Sequence, residues 1–334
     1  MYESFFKLKE KPFNLTPDPR FIYFTERHCE ALANLVYGIR ERKGFMVLSG
    51  EVGTGKTTLV NALLDTLDRT GVMTAFIFNP ILTSSEFFEY LLADFNIKYN
   101  GSSKTQALIK LNSLLLERYR TGQVTVLVVD EAQNLSAEIL EEIRLLTNLE
   151  TATEKLLQIV LVGQPELSLK LNSSELRQLK QRINLRCNLE PLSLAETRDY
   201  IKTRLEIAGL PDQQIFPSSV ITEIYRFSSG IPRLINTISD NALLTSYACD
   251  CDQVTTEIIM EVVEDLELSE GYRHVSRRRE AGKRLDTSTV PSGIREEPLA
   301  MEKFQSSDQE VQKADSQSFE LFVQYVDKLK NRTH

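Results

Sequence analysis

The most constraining stretch of this chain is Gly50-Glu51-Val52-Gly53-Thr54-Gly55-Lys56-Thr57-Thr58. It fits the pattern G-x-x-x-x-G-K-[ST] in full. An apolar run at residues 45–48 precedes it, and a helical pattern carrying Leu59, Leu63 and Leu64 follows. Glycines let a backbone wrap an anion with its amides pointing inward and no Cβ in the way. The start of a helix adds partial positive charge at the same place. Residues 50–58 are therefore expected to cradle nucleotide phosphates. Lys56 is expected at the β- and γ-phosphates, Thr57 Oγ on Mg²⁺, and Thr58 near the α-phosphate. The expected ligands are ATP and Mg²⁺.

The pattern around the loop agrees with that start. Short apolar runs at 45–48, 73–78, 124–129, 156–162 and 184–189 read as strands. Helical spacing falls at 26–40, 57–67, 85–95, 104–119, 137–149 and 175–179. Strands separated by helices predict βαβ units and a parallel sheet, and continuously apolar strands predict helices on both faces. After Pro191 the reading changes to helices alone, at 194–208, 219–227, 232–247 and 255–266. The fold class expected is α/β, a phosphate-loop parallel sheet sandwiched by helices and followed by a small all-helical lid. The expected domains are 1–192 for the nucleotide-binding part with its N-terminal segment and 193–268 for the lid. Residues 269–315 are polar and read as a disordered linker. Residues 316–331 read as an amphipathic helix with Phe319, Phe322, Val323, Val326 and Leu329 on one face. The first 24 residues, broken by Pro12, Pro17 and Pro19, read as an extended segment laying aromatic rings on a core.

Composition excludes several alternatives. The 334 residues hold three histidines, which excludes a zinc site of clustered His ligands and disfavours a Ser-His-Asp hydrolase. Four cysteines with no matching partner pair read as reduced thiols. No apolar run reaches the roughly 18–20 residues that span a bilayer. The first residues lack a basic stretch followed by an apolar one, so they do not read as a signal peptide. The expectation is a cytoplasmic protein, peripheral at the inner membrane through a partner at most. A net charge of −8 disfavours a nucleic-acid coat.

Positions beyond the loop also carry chemistry. The strand at 124–129 runs into Asp130-Glu131-Ala132-Gln133. Period 2 would turn one carboxylate toward the core and the other away. The C-terminal end of a parallel strand faces the edge that holds the phosphate loop. Asp130 would then join Thr57 at Mg²⁺, and Glu131 would face the γ-phosphate and activate a water for in-line attack. Gln164 follows the next strand and would aim at the γ-phosphate or the water. Arg182, with Arg186 as second choice, is the candidate for a cation offered to a neighbouring subunit's nucleotide. Arg233 follows Gly230-Ile231-Pro232 in the first turn of a helix, where the macrodipole disfavours a cation. A phosphate contact made from the lid supplies a reason for that placement.

Together Gly50–Thr58, Asp130-Glu131-Ala132-Gln133, Gln164, Arg182 and Gly230-Ile231-Pro232-Arg233 resemble an AAA+ ATPase. Met1-Tyr-Glu-Ser-Phe-Phe6, Lys11-Pro-Phe-Asn-Leu-Thr-Pro-Asp-Pro-Arg20, Glu26-Arg-His28 and Leu161-Val-Gly-Gln-Pro-Glu-Leu167 resemble the general secretion pathway component A family. The resemblance covers about residues 1–267. It implies that Asp130 is the Mg²⁺-associated acid of the Walker B motif and Glu131 the catalytic glutamate. It further implies that Gln164 stands at the sensor 1 position and Arg233 at sensor 2, and that residues 17–24 border the adenine. Longer members of the family continue into a transmembrane helix and a peptidoglycan-binding domain, and this chain resembles the shorter members.

Two functions follow. One is a molecular switch in a secretion or export complex, a homo-oligomeric ring (a hexamer is one form) that acts on a protein partner. The alternative is a DNA-associated ATPase of the transposition-regulator type. Its sequence support is the basic stretch at 273–284, with Arg273, Arg277, Arg278, Arg279, Lys283 and Arg284, which reads first as a solvated linker and otherwise as a DNA or anionic-lipid contact.

Overall fold

The computed structural model describes residues 1–268 with the exception of 15–18, 22, 79, 100, 102 and 211–214. The expected linker, the C-terminal helix and the basic stretch at 273–284 lie outside the described residues. So do Pro17 and Ile22 of the segment expected at the adenine.

The chain begins with the short helix α1 (Tyr2–Phe5) and a 3-10 turn at Pro19–Phe21. Then come α2 (Glu26–Arg40), β1 (Phe45–Gly50), α3 (Lys56–Arg69), β2 (Met73–Ile77), α4 (Ser84–Asp94), α5 (Lys104–Arg120) and β3 (Thr125–Val129). A second 3-10 turn (Ala132–Asn134), α6 (Ala137–Leu146), β4 (Gln158–Gly163), α7 (Pro165–Leu171), α8 (Arg177–Lys180) and β5 (Ile183–Leu189) complete the sheet unit. The helical unit is α9 (Leu194–Ile207), α10 (Ser218–Ser228), α11 (Pro232–Ala248) and α12 (Thr256–Asp265).

The five strands form one sheet in the order β2-β3-β4-β1-β5, and every neighbouring pair is parallel. Period 2 sorts their side chains onto two cores. Phe45, Val47, Leu127, Val129, Ile159 and Leu161 face the side covered by α4, α5 and α6. Met46, Leu48, Val126, Val128, Val160 and Val162 face the side covered by α2 and α3. Each such fully buried side chain is worth about 1.5–3 kcal/mol against exposure. The expected layering, with helices on both faces, is what the structure has. Side-chain caps fix several helix starts: Thr25 accepts from the His28 amide, and Ser193 with Glu196 forms a capping box.

Three local readings are corrected. Residues 165–171, to which the sequence pattern assigns no element, form α7 with Gln164 as its N-cap and Pro165 at its first turn, a position where the missing N–H costs nothing. The helix expected to reach 149 ends at Leu146. The first thirteen residues do lay rings on a core, but it is the core of the helical unit. Tyr2, Phe6, Leu8 and Phe13 are buried there with Tyr200, Ile235 and Val262. The Lys9 amide donates to the Ala208 carbonyl at 2.8 Å, and Arg204 Nε donates to the Pro12 carbonyl at 2.6 Å. Tyr2 Oη donates to Asp240. Residues 1–13 thus form a strap on the helical unit, whereas α2 packs in the sheet unit.

Candidate active site

The strand order brings three loops to one edge. β4 lies between β1 and β3, so the residue after β4 falls between the loop after β1 and the carboxylates after β3. Gln164, Lys56 and Glu131 therefore meet where three parallel strands end.

The loop itself is tightly held. Gly50 closes β1, and Glu51 and Val52 stand exposed at the tip. Thr54 is buried, and its hydroxyl donates to the Glu51 carbonyl at 2.8 Å. Lys56 opens α3 and is also buried, and Nζ donates to the carbonyls of Gly50 at 2.8 Å and Glu51 at 2.9 Å. Burial holds its ammonium below the ordinary lysine range, while the charges of Glu131, Asp130, Glu51 and Glu166 pull the other way. Thr57 and Thr58 follow in the first turn of α3, where backbone amides are unpaired by the helix.

Asp130 and Glu131 do not follow the alternation expected of a strand. β3 ends at Val129, and Glu131 takes a left-handed conformation with φ 50°, uncommon for a residue with a side chain. Asp130 is buried, and Thr57 Oγ1 donates to its Oδ2 at 3.5 Å. Burial pushes the Asp130 carboxyl up. The Glu131 amide, which donates to Oδ1 at 2.8 Å, opposes that shift, as do Lys56 and Thr57. The turn swings Glu131 toward two amides. Gln133 Nε2 donates to Glu131 Oε2 at 2.5 Å, and Gln164 Nε2 donates to the same oxygen at 3.2 Å. Gln133 also accepts from the Gln164 backbone amide at 3.1 Å, so the two glutamines lock each other. Lys170 of α7 bonds the Gln133 carbonyl at 3.1 Å and the Leu135 carbonyl, which fixes the turn from behind.

Arg233 begins α11, and its amide donates to the Gly53 carbonyl at 3.3 Å. The helical unit thus touches the phosphate loop through the Arg233 backbone. Arg182 is not brought to this site. It precedes β5 at the opposite end of the sheet, and Nη1 donates to Thr147 Oγ1 at 2.6 Å and Asn148 Oδ1 at 2.5 Å. Arg186 lies exposed on β5, an edge strand.

Sequence reasoning assigns no role to Gln133 or His28. Gln133 stands in the quoted Asp130–Gln133 stretch, but its hold on Glu131 depends on a 3-10 turn that no periodicity reveals. His28 is one of the three histidines, and its Nε2 lies 3.1 Å from the Thr54 carbonyl.

The Thr57 hydroxyl and the Asp130 carboxylate are the hard oxygen donors that Mg²⁺ takes, and Mg²⁺ keeps several waters and substrate phosphate oxygens in the rest of its shell. The donor pair therefore fits a Mg²⁺ brought with a nucleotide. Among the described residues no three His, Cys, Asp or Glu are grouped to hold a metal, and no helix is long and apolar enough to cross a membrane.

Comparison with known proteins agrees with this geometry. Residues 39–171 match the model of an AAA domain. Over 249 residues the chain is 45% identical to general secretion pathway protein A of Aeromonas hydrophila. That match covers 74% of this chain and 45% of the relative, so the chain spans less than half of the relative's length. Among solved structures, the Aeropyrum pernix ORC2 protein in ADPNP–ADP complexes is similar with a TM-score of 0.53 at 16% identity, over 77% of this chain and 71% of that one. Cdc6p of Pyrobaculum aerophilum gives 0.54 at 19%, over 79% and 70%. Drosophila ORC bound to DNA gives 0.55 at 20%, over 76% and 64%. At these identities the structures speak for the fold, a parallel phosphate-loop sheet with a helical unit after it. Sequence motifs, sheet order and relatives agree on an AAA domain built on a parallel phosphate-loop sheet, in a chain similar to general secretion pathway protein A.

Proposed function

We propose that this protein binds ATP with Mg²⁺, hydrolyses it, and works as a nucleotide-dependent switch in a secretion- or export-associated complex. The observation that carries the chemistry is the Glu131 carboxylate, held by two amides beside the Thr57–Asp130 pair. Two neutral donors aim this carboxylate without tying it up in an ion pair. In this reading the amides of residues 50–58 surround the phosphates. Lys56 exchanges its bonds to Gly50 and Glu51 for β- and γ-phosphate oxygens. Thr57 and Asp130 would hold Mg²⁺, which when bound neutralises charge on the phosphate oxygens. Glu131 takes a proton from a water as that water attacks the γ-phosphorus, and the bond to the β-phosphate oxygen breaks to leave ADP and phosphate. Gln164 orients the water, and Arg233 contacts phosphate from the helical unit.

Arg182 acts in this scheme only between copies of the chain. Its hydrogen bonds to Thr147 and Asn148 both use Nη1, which is compatible with the rest of the guanidinium facing a neighbour's nucleotide in a ring. A hexamer is the form we propose. The secretion role rests on the name of one relative, and it puts the protein in the cytoplasm, at the inner membrane only through its protein partner. The DNA-associated alternative rests on residues 273–284, outside the described region.

The central test is Glu131→Gln. It is expected to keep ATP affinity within about threefold and to lower phosphate release about 10²–10⁴-fold, the range for loss of a general base. Equal phosphate release by wild type and Glu131→Gln would refute the assignment. Specific activity that rises with protein concentration, and falls in Arg182→Ala that still assembles, would support the ring. Tight binding to DNA that weakens steeply with salt would favour the alternative.

A further inference from the structure

We propose that His28 is a positioning residue of the phosphate loop, holding the Thr54–Gly55 peptide so that the Gly55 amide faces bound phosphate. The proposal rests on the ATP-binding reading above and adds a residue from outside the loop to it.

His28 lies in the first turn of α2 and is buried. Both ring nitrogens are engaged. Nε2 is 3.1 Å from the Thr54 carbonyl, and Nδ1 is 2.7 Å from Thr25 Oγ1. A carbonyl can only accept, so Nε2 must carry the proton. In the neutral ring Nδ1 then accepts, and the Thr25 hydroxyl donates to it. That hydroxyl also accepts from the His28 amide at 3.3 Å, so each of its roles is used once. The Thr54 carbonyl thereby fixes the tautomer, and Thr25 holds the ring in it by donating to Nδ1. Burial, opposed by the bond to Thr54 and the charge of Glu196, holds the ring below the ordinary histidine range, in keeping with a neutral imidazole.

The consequence for the loop follows from peptide geometry. In a trans peptide the C=O and the next N–H point in opposite directions, and among the described residues every peptide is trans. With the Thr54 carbonyl turned to His28, the Gly55 N–H points to the other side, away from α2. A flip of this one peptide would present a carbonyl dipole to an anion in place of a donor. Gly55 is where such a flip is easiest, because its φ is +97° and it carries no side chain to resist. A Cβ at Gly55 would lie 3.3 Å from His28 Nε2, so the ring packs directly against the peptide it holds. The Phe24 ring packs against the imidazole in turn, with centroids 5.9 Å apart.

The test uses the full chain and a fluorescent ADP, with fluorescent AMP as the ligand lacking a β-phosphate. His28→Leu removes the donor. It is expected to weaken ADP about tenfold while changing AMP less than about twofold. His28→Gln offers an amide N–H at similar reach and is expected to restore ADP affinity to within about threefold of wild type. A folded His28→Leu protein that binds ADP within about twofold of wild type would overturn the proposal, as would a His28→Gln protein as weak as His28→Leu. Should His28→Leu fail to fold, Thr25→Ala against Thr25→Ser carries the question. ADP binding weaker by about three- to tenfold is expected for Ala only, and equal affinities would overturn the proposal. Wild type that binds no ADP would overturn the nucleotide reading itself, whereas binding wild type with an indifferent His28→Leu overturns only the role of His28.

Discussion

Replacing Phe13 by alanine probes the least expected part of the architecture. The ring is fully buried, in the core of the helical unit, with its edge on Phe216 at a centroid distance of 5.8 Å and an interplanar angle of 84°. Phe→Ala at such a site costs about 3–5 kcal/mol, as lost transfer energy and a cavity that relaxes only in part. For a protein of this size each kcal/mol moves the melting midpoint by about 2–4 °C. Phe13→Ala should therefore melt about 10 °C below wild type in a circular dichroism scan without nucleotide. A double-mutant cycle with Phe216→Ala should return a coupling of about 0.5–1.5 kcal/mol for the edge-to-face pair. If residues 1–13 merely lay along the surface, Phe13→Ala would shift the midpoint by less than about 2 °C. That outcome, or zero coupling to Phe216, would refute the strap.

Other expectations can be checked separately. Gly230 has φ +75°, and a Cβ there would overlap the Leu192 carbonyl oxygen. Gly230→Ala should thus break the Leu192–Gly230 hydrogen bond and lower the urea midpoint clearly, while Gly71→Ala, with open space at its Cβ position, should cost only its backbone strain of about 1–2 kcal/mol. The Cys187 thiol is pushed up to about 11 by burial. Iodoacetamide at neutral pH should label the exposed Cys249 and reach Cys187 only after unfolding, as read by peptide mass spectrometry. The His28 ring has a folded pKa below its unfolded value near 6.5. The unfolded chain then binds the extra proton first, so stability falls as pH drops below about 6.5. His28→Gln should lack that component, and a difference in unfolding free energy between the two proteins that stays the same from about pH 7.5 to about pH 5.5 would refute it.

Much of the site is legible because it is local. The glycines, Lys56 and Thr57 occupy one uninterrupted stretch, and the flanking apolar runs say which side is strand and which is helix. Gln164 can be placed because parallel strands end at one edge, and β4 does lie between β1 and β3. The carboxylates are harder. The alternation argument holds only while the strand continues, and β3 stops at Val129, one residue short of Asp130. Beyond that point a left-handed Glu131 and a 3-10 turn set the side-chain directions, and no spacing rule addresses them. Gln133 and His28 escape for a related reason. Their roles are hydrogen bonds to a neighbouring loop, and a window of residues carries no record of what packs across it. The strap is the extreme case: its prolines and rings say that it lies on some core, but the Arg204 that bonds Pro12 comes 192 residues later.

That separation has a consequence for biosynthesis. The helical unit is assembled from the first thirteen residues and from those after Leu192, with the whole sheet unit encoded between. Pro12 emerges from the ribosome 192 residues before Arg204. At about 5–20 residues per second, that is a wait of about 10–40 s. The five-stranded sheet is complete at Leu189, before the helical unit has been made. The nucleotide loop is thus expected to form while Tyr2, Phe6 and Phe13 are still unsheltered. Docking of residues 2–13 onto helices made after the sheet then completes this core.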